Sequence, residues 1–205
     1  APGRTDGPVL LFLHGNAGSH FSRMPIYQDL AADGAGVLAA AYPGYGGNPG
    51  RPSEASLAAA AQANYDWLIA QRFAPEQIVL VGESLGSGVA VKLAGENKAA
   101  GLILLAAYTG MDDVAQRQFP LLPAKWLIKD RYRSIDRIAA IEIPISWIHG
   151  RQDALIPYAM GLRLFEAARE PKTAHPIAGA GHNDLWQRGA DKLVRQEAKR
   201  FVAAA

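Results

Sequence analysis

Short apolar runs alternate along the chain with longer stretches in which apolar positions recur at helical spacing. Residues 9–14, 36–42, 77–81, 102–106 and 144–149 are brief and rich in Val, Ile and Leu, the pattern of strands buried on both faces. Residues 173–177 give a sixth, weaker strand. Between them the spacing predicts helices over 25–33, closed by Gly34, and over 54–73, opened by Ser53 and Glu54 with Leu57, Tyr65, Leu68 and Ile69 on its apolar face. A small-residue helix follows the third strand and runs to Ala94, with Gly95 as its stop. Helices over 157–168 and 185–202 follow, the last capped by Asn183 or Asp184. Strands alternating with helices imply an α/β domain, a mostly parallel sheet with helices on both faces. Residues 108–143 break the alternation: they hold Phe119, Pro120, Pro123, Trp126 and Tyr132 among charges and show no strand pattern. They are expected to form a short helical cap or an irregular crossover.

The third strand ends at Gly82-Glu83-Ser84-Leu85-Gly86, where it meets the small-residue helix. A serine at that junction must bend sharply, and glycines two places before and after it leave room for the bend. The bend lifts the hydroxyl above the sheet and turns the free N–H groups of a helix N-terminus toward it. This is the G-x-S-x-G nucleophile elbow in its strand–turn–helix setting. The simpler alternative is a glycine-rich turn with Ser84 as a helix N-cap.

A serine hydroxyl needs a base, and the base needs an acid to orient it. In open parallel sheets such groups collect beyond the carboxyl ends of strands. Asp153 lies beyond the fifth strand and His182 beyond the sixth, which gives the order Ser84, Asp153, His182. Asp153 could instead cap a turn before Pro157 or pair with Arg151, and His182 could be a water-exposed loop residue. Asp112 and Asp113, after the fourth strand, are the weaker candidates for the acid and suit a helix cap better. His149 reads as a buried structural residue and His14 as similar, with a role in shaping the loop after the first strand. His175 and His20 have no partner visible in the sequence. Acyl transfer also needs donors for a developing oxyanion. The backbone N–H of Leu85 is one. The loop His14-Gly15-Asn16-Ala17-Gly18-Ser19 supplies the other, through Asn16 or, failing that, Ala17. A phosphate-binding reading of that loop would need G-x-G-x-x-G or a Walker lysine, and neither is present.

Composition narrows the picture in a few places. The 205 residues suit one domain, over 1–205. The chain has no cysteine, which excludes disulfides and thiolate chemistry. No histidine–carboxylate cluster has metal-ligand spacing, so neither a metal nor a cofactor is expected. The net charge of +2 gives no basis for a nucleic-acid partner. Basic residues mixed with Trp126, Asp130 and Tyr132 between Lys125 and Arg133 hint at an anionic or lipid surface, against the plainer reading of a solvated helix face. The chain opens Ala1-Pro2-Gly3, and the apolar run at 9–13 is too short to cross a bilayer, so neither a signal peptide nor a membrane span is expected.

Taken together, these blocks resemble the α/β-hydrolases. More narrowly they are similar to single-domain serine hydrolases whose first loop reads HGNAG (here His14 to Gly18) and is followed by a Y-x-G-Y-G loop (Tyr42 to Gly46). Gly82 to Gly86, Ile148 to Asp153 and Gly179 to Asp184 match in order and approximate spacing. The resemblance implies a Ser84, Asp153, His182 triad and an oxyanion hole of the Asn16 and Leu85 amides. It implies hydrolysis of a small-molecule carboxylic ester, thioester or amide, as in carboxylesterases and thioesterases. It leaves open transfer to another acceptor, C–C cleavage, or a hydrolase-like domain that only binds a lipid or protein. The family usually carries two or more strands ahead of the HG loop, and here only eight residues precede the first strand. Residues 36–42 would then be an uncharged outer edge that invites self-association, or the chain would be a truncated form.

Overall fold

The computed structural model describes residues 7–17 and 20–205. Gly18 and Ser19 of the first loop, and the Ala1-Pro2-Gly3 start, lie outside the described residues. Six strands form one parallel sheet: β1 (Val9–Leu13), β2 (Gly36–Ala39), β3 (Ile78–Glu83), β4 (Gly101–Leu105), β5 (Ile145–Gly150) and β6 (Lys172–Ile177), in the spatial order β2-β1-β3-β4-β5-β6. Register is continuous across the centre, Phe12 lying beside Val81 and Val81 beside Ile103.

The apolar runs are apolar on both sides because both sides are covered. Alternate strand residues enter two separate cores. Leu11, Leu13, Ile78 and Leu80 pack with Leu57, Tyr65 and Leu68 of α2 (Glu54–Ala70), with Val89 and Leu93 of α3 (Leu85–Glu96) and with Leu164 of α6 (Tyr158–Ala167). Leu10, Phe12, Val79 and Val81 pack on the opposite face with Leu30 of α1 (His20–Ala31) and Val194, Ala198 and Phe201 of α7 (Ala190–Ala204). Outer strand β6 carries Pro176, whose missing N–H is tolerated only at an edge. That accounts for its weak sequence signal.

Four boundaries differ from expectation by three residues or more. Helix α1 begins at His20 with Pro25 inside it. The expected place for this proline is the start of the helix, where its missing N–H costs nothing, but Pro25 is preceded by a turn of helix and leaves the Phe21 carbonyl without its ladder donor. Strand β2 stops at Ala39, because the chain then turns inward to bury Tyr42 against the ring of His14, with centroids 4.3 Å apart. Helix α2 ends at Ala70 rather than at residue 73, although its start is as expected: Ser53 Oγ accepts the N–H of Ser56, and Ser56 Oγ accepts the N–H of Ser53. The final helix does not start at Leu185 and is not capped by Asn183 or Asp184. A 3-10 turn, Trp186–Arg188, ends at Gly189 with φ 89°, and α7 starts after it. Asp184 instead accepts the N–H of Gly181 at 2.6 Å.

Between β4 and β5 the chain forms α4 (Met111–Gln118), α5 (Ala124–Leu127) and two 3-10 turns, Ser134–Asp136 and Ile138–Ala140. Among the described residues, no helix is long and apolar enough to cross a membrane.

Candidate active site

Ser84 sits between β3 and α3 with φ 50° and ψ −118°, a left-handed conformation that is strained for a residue with a side chain. Its N–H still donates to Leu105 O of β4 at 2.9 Å, which anchors the bend to the sheet. The flanking glycines permit the bend by steric necessity. A Cβ on Gly86 would overlap the carbonyl of Leu13, and one on Gly82 would lie 2.7 Å from Ala90 Cβ and from Ser87 Cα.

Three side chains distant in sequence meet at this turn. Ser84 Oγ lies 3.0 Å from His182 Nε2, and His182 Nδ1 lies 2.7 Å from Asp153 Oδ2. A carboxylate only accepts, so Nδ1 carries the proton and Nε2 is left to accept from the serine hydroxyl. Asp153 is fixed from its other oxygen, which accepts the N–H groups of Leu155 at 2.9 Å and Ile156 at 2.8 Å. The carboxylate therefore makes the local turn and also faces the imidazole. Arg151 does not pair with it and lies over the Tyr158 ring instead.

Of the remaining histidines and acids, His149 borders the site, its Nε2 3.5 Å from Asp153 Oδ2, and the others are accounted for elsewhere. His149 is fully buried and donates through Nε2 to Ile156 O at 2.9 Å, and burial holds its imidazole below the usual range. His14 is buried too, donates from Nδ1 to Gly15 O at 2.7 Å, and is pushed down to about 4 by burial. His20 and His175 do have neighbours that the sequence did not reveal: His20 Nδ1 is 3.2 Å from Tyr27 Oη, and His175 Nε2 is 3.3 Å from Glu197 Oε1. Asp112 and Asp113 lie in the first turn of α4, and Arg133 Nη1 reaches both, at 3.3 and 3.4 Å. Lys125 pairs with Asp113 as well.

The first loop comes in close to the elbow: a Cβ on Gly15 would lie 3.2 Å from Ser84 Cβ. The Gly15 N–H faces Glu83 Oε2 at 3.5 Å, and Asn16 Oδ1 accepts from Tyr45 Oη at 2.6 Å. Leu85 is the first residue of α3, so its N–H is one of the donors a helix leaves free. Asn16, Ser84 and Leu85 together line one cavity.

Two residues matter to this geometry through partners that the local sequence does not reveal. Glu83 accepts from Trp186 Nε1 at 2.7 Å and from Arg23 Nε at 3.2 Å, joining the elbow to α1 and to the turn after His182. Tyr45 falls inside the Y-x-G-Y-G block, but its bond to Asn16 could not be read from that pattern.

Two cavities flank Ser84. One, of about 480 Å³, is walled largely by apolar side chains including Met111, Val114, Leu127, Ile128 and Ile156. The other, of about 470 Å³, is more polar and includes Arg23, Glu83, His182 and Asn183. Ser84, Asn16 and Leu155 line both. Among the described residues, no group of three or more His, Asp or Glu is placed to hold a metal ion.

The α/β hydrolase fold family model matches residues 8–132. An uncharacterised protein of Mycobacterium tuberculosis is 43% identical over 179 residues, covering 87% of this chain and 64% of its own length. The lysophosphatidylserine lipase ABHD12 of Danio rerio is 31% identical over 186 residues, covering 81% of this chain and 48% of its own length. The chain therefore spans about half to two thirds of these relatives. Among solved structures, the monoacylglycerol lipase of Paleococcus ferrophilus superposes with a TM-score of 0.70 at 21% identity, over 97% of this chain and 96% of the other. The sheet order, the helices on both faces and the match over most of the chain lead to one conclusion: the chain belongs to the α/β-hydrolase fold family.

Proposed function

We propose that the chain is a serine hydrolase that cleaves a carboxylic ester, thioester or amide through an acyl-enzyme on Ser84. The observation that carries this reading is the continuous hydrogen-bonded path from Ser84 Oγ through His182 to Asp153. His182 Nε2 takes the hydroxyl proton as Ser84 Oγ bonds to the substrate carbonyl carbon. Asp153 holds the ring in the required tautomer and stabilises the imidazolium that forms. The oxyanion is received by the backbone N–H groups of Leu85 and Asn16. Support for that placement comes from Gly15 being occupied with Glu83, while Tyr45 holds the Asn16 side chain aside. The tetrahedral adduct collapses, breaking the bond to the alcohol, thiol or amine, which leaves with the proton from His182. Water then repeats the sequence with His182 as base, and the free acid and Ser84 hydroxyl are regenerated.

The apolar cavity beside Ser84 suits an acyl chain, and the polar one suits the leaving group. The named activity of the zebrafish relative, a lipase, fits that division.

The test is labelling with a fluorophosphonate, followed by turnover of p-nitrophenyl esters of increasing acyl length. The Ser84→Ala variant is expected to lose labelling and to lose several orders of magnitude, on the order of 10⁴ or more, in kcat. Full esterase activity in that variant would end the proposal. Product analysis with added alcohols separates hydrolysis from transfer to another acceptor.

A further inference from the structure

Half of the large apolar side chains exposed among the described residues lie within nine consecutive positions: Phe119, Leu121, Leu122, Trp126 and Leu127. Leu121 is 97% exposed and Trp126 83%. This exposure is built into the fold. Gln116 Nε2 donates to Leu122 O at 2.9 Å and to Pro120 O at 3.3 Å, fastening the turn to α4. Lys125 Nζ is 2.8 Å from Asp113, fastening α5 to the same helix, and Ala124 is buried beneath it. Gln118 Nε2 reaches Leu155 O at 3.3 Å, tying the segment to the loop that carries Asp153. Contiguous apolar surface presented in this way marks a contact face.

The charge around the patch has one dominant sign. Arg117, Lys129 and Arg131 are exposed within the same stretch, and Lys125 is held by Asp113. The acids nearby are engaged: Asp130 accepts the N–H of Glu54 at 2.9 Å, Asp112 faces Arg133, and Asp113 is neutralised by Lys125, which leaves Arg117, Lys129 and Arg131 as the basic groups of the patch. A tryptophan and leucines bordered by lysine and arginine match the boundary between lipid headgroups and acyl chains. The patch is also continuous with the apolar cavity, since Leu127, Ile128 and Lys129 line it together with Ser84.

We infer that residues 117–131 dock the protein on an anionic lipid surface, with Leu121, Leu122 and Trp126 entering the headgroup boundary and the basic residues facing lipid phosphates and carboxylates. The apolar cavity then opens onto that surface. Docking stands apart from the hydrolase reading, which it needs only for what the surface delivers, so it is measured without turnover.

The experiment uses the Ser84→Ala protein and phosphatidylcholine vesicles with and without phosphatidylserine. Cosedimentation is expected with the phosphatidylserine vesicles, and it should weaken with added salt. The fluorescence should shift to the blue on binding, and Trp126→Ser should abolish the shift. Leu121→Ser with Trp126→Ser should weaken binding about tenfold or more. Arg117→Ala should weaken it about fivefold. An unchanged circular dichroism spectrum and Tm establish that the variants are folded. The inference is overturned if neither vesicle is bound, or if binding ignores these substitutions. It is also overturned if the wild-type chain forms a concentration-dependent dimer that the double substitution converts to monomer, which would assign the face to a second copy of the chain.

Discussion

The carboxylate of Glu83, immediately before Ser84, accepts the indole N–H of Trp186, four positions after His182, at 2.7 Å. Its other oxygen receives Arg23 Nε and faces the Gly15 N–H. One side chain thus connects the elbow, the turn after His182 and the loop that supplies the proposed second oxyanion donor. Glu83→Ala should lower kcat by about tenfold to a hundredfold, in line with loss of groups that hold a reacting side chain in position. KM for a soluble ester should change much less. Steady-state kinetics with Tm measured alongside check this, and a kcat equal to wild type would detach Glu83 from the site's geometry.

Asp153→Asn separates the two tasks of that residue. The asparagine carbonyl oxygen can still accept from Leu155 and Ile156, so Tm should change little. Its amide then faces His182 Nδ1 and stabilises the wrong tautomer. A loss in kcat on the order of 10⁴ near neutral pH is expected, as in other enzymes where a triad aspartate was so replaced. Stopped assays with an activated ester and a parallel thermal melt are enough to distinguish this from simple unfolding.

Gly86→Ala tests the steric basis of the elbow. The added methyl would overlap the Leu13 carbonyl at the end of β1. Neither backbone can withdraw without disturbing the sheet, so a loss of at least about 3 kcal/mol is expected. Urea denaturation, or failure to recover soluble protein, would register it. A variant as stable as wild type would show that α3 and β1 are further apart than described.

Two buried imidazoles set a pH dependence of stability. Burial pushes His14 down to about 4 and lowers His149, whereas both titrate near 6.5 when exposed. Between those values the unfolded chain binds more protons than the folded one. Their contribution is intact above about pH 6.5 and is lost as pH falls below it, for His14 down to about 4. The urea midpoint should therefore be lower at about pH 5 than at about pH 7.5. His149→Gln keeps an N–H donor for Ile156 O but cannot titrate, so its midpoint should vary less with pH. Equal slopes for the two proteins would remove His149 from the account.

The fold was legible because its strands are covered on both faces and must be apolar at every position, as Ile78-Val79-Leu80-Val81 is. Their ends were less legible. The departure of β2 at Ala39 is decided by Tyr42 packing on His14, and the late start of α7 by a left-handed Gly189 inside an otherwise helical pattern. Ser84, Asp153 and His182 stood out because each follows a strand in a loop containing glycine. Glu83 did not stand out, because its partners Arg23 and Trp186 lie 60 residues before and 103 after it. Nothing local encodes such a junction.

The two cavities that share Ser84 bear on traffic through the proposed reaction. A substrate laid across the hydroxyl is divided between them, and after cleavage its halves lie on opposite sides of the bond just broken. Neither fragment has to pass the other on the way out. Under the proposed division, the departing alcohol, thiol or amine would vacate the side nearer His182, and the incoming water would take that route while the acyl half stayed among the methyl groups opposite.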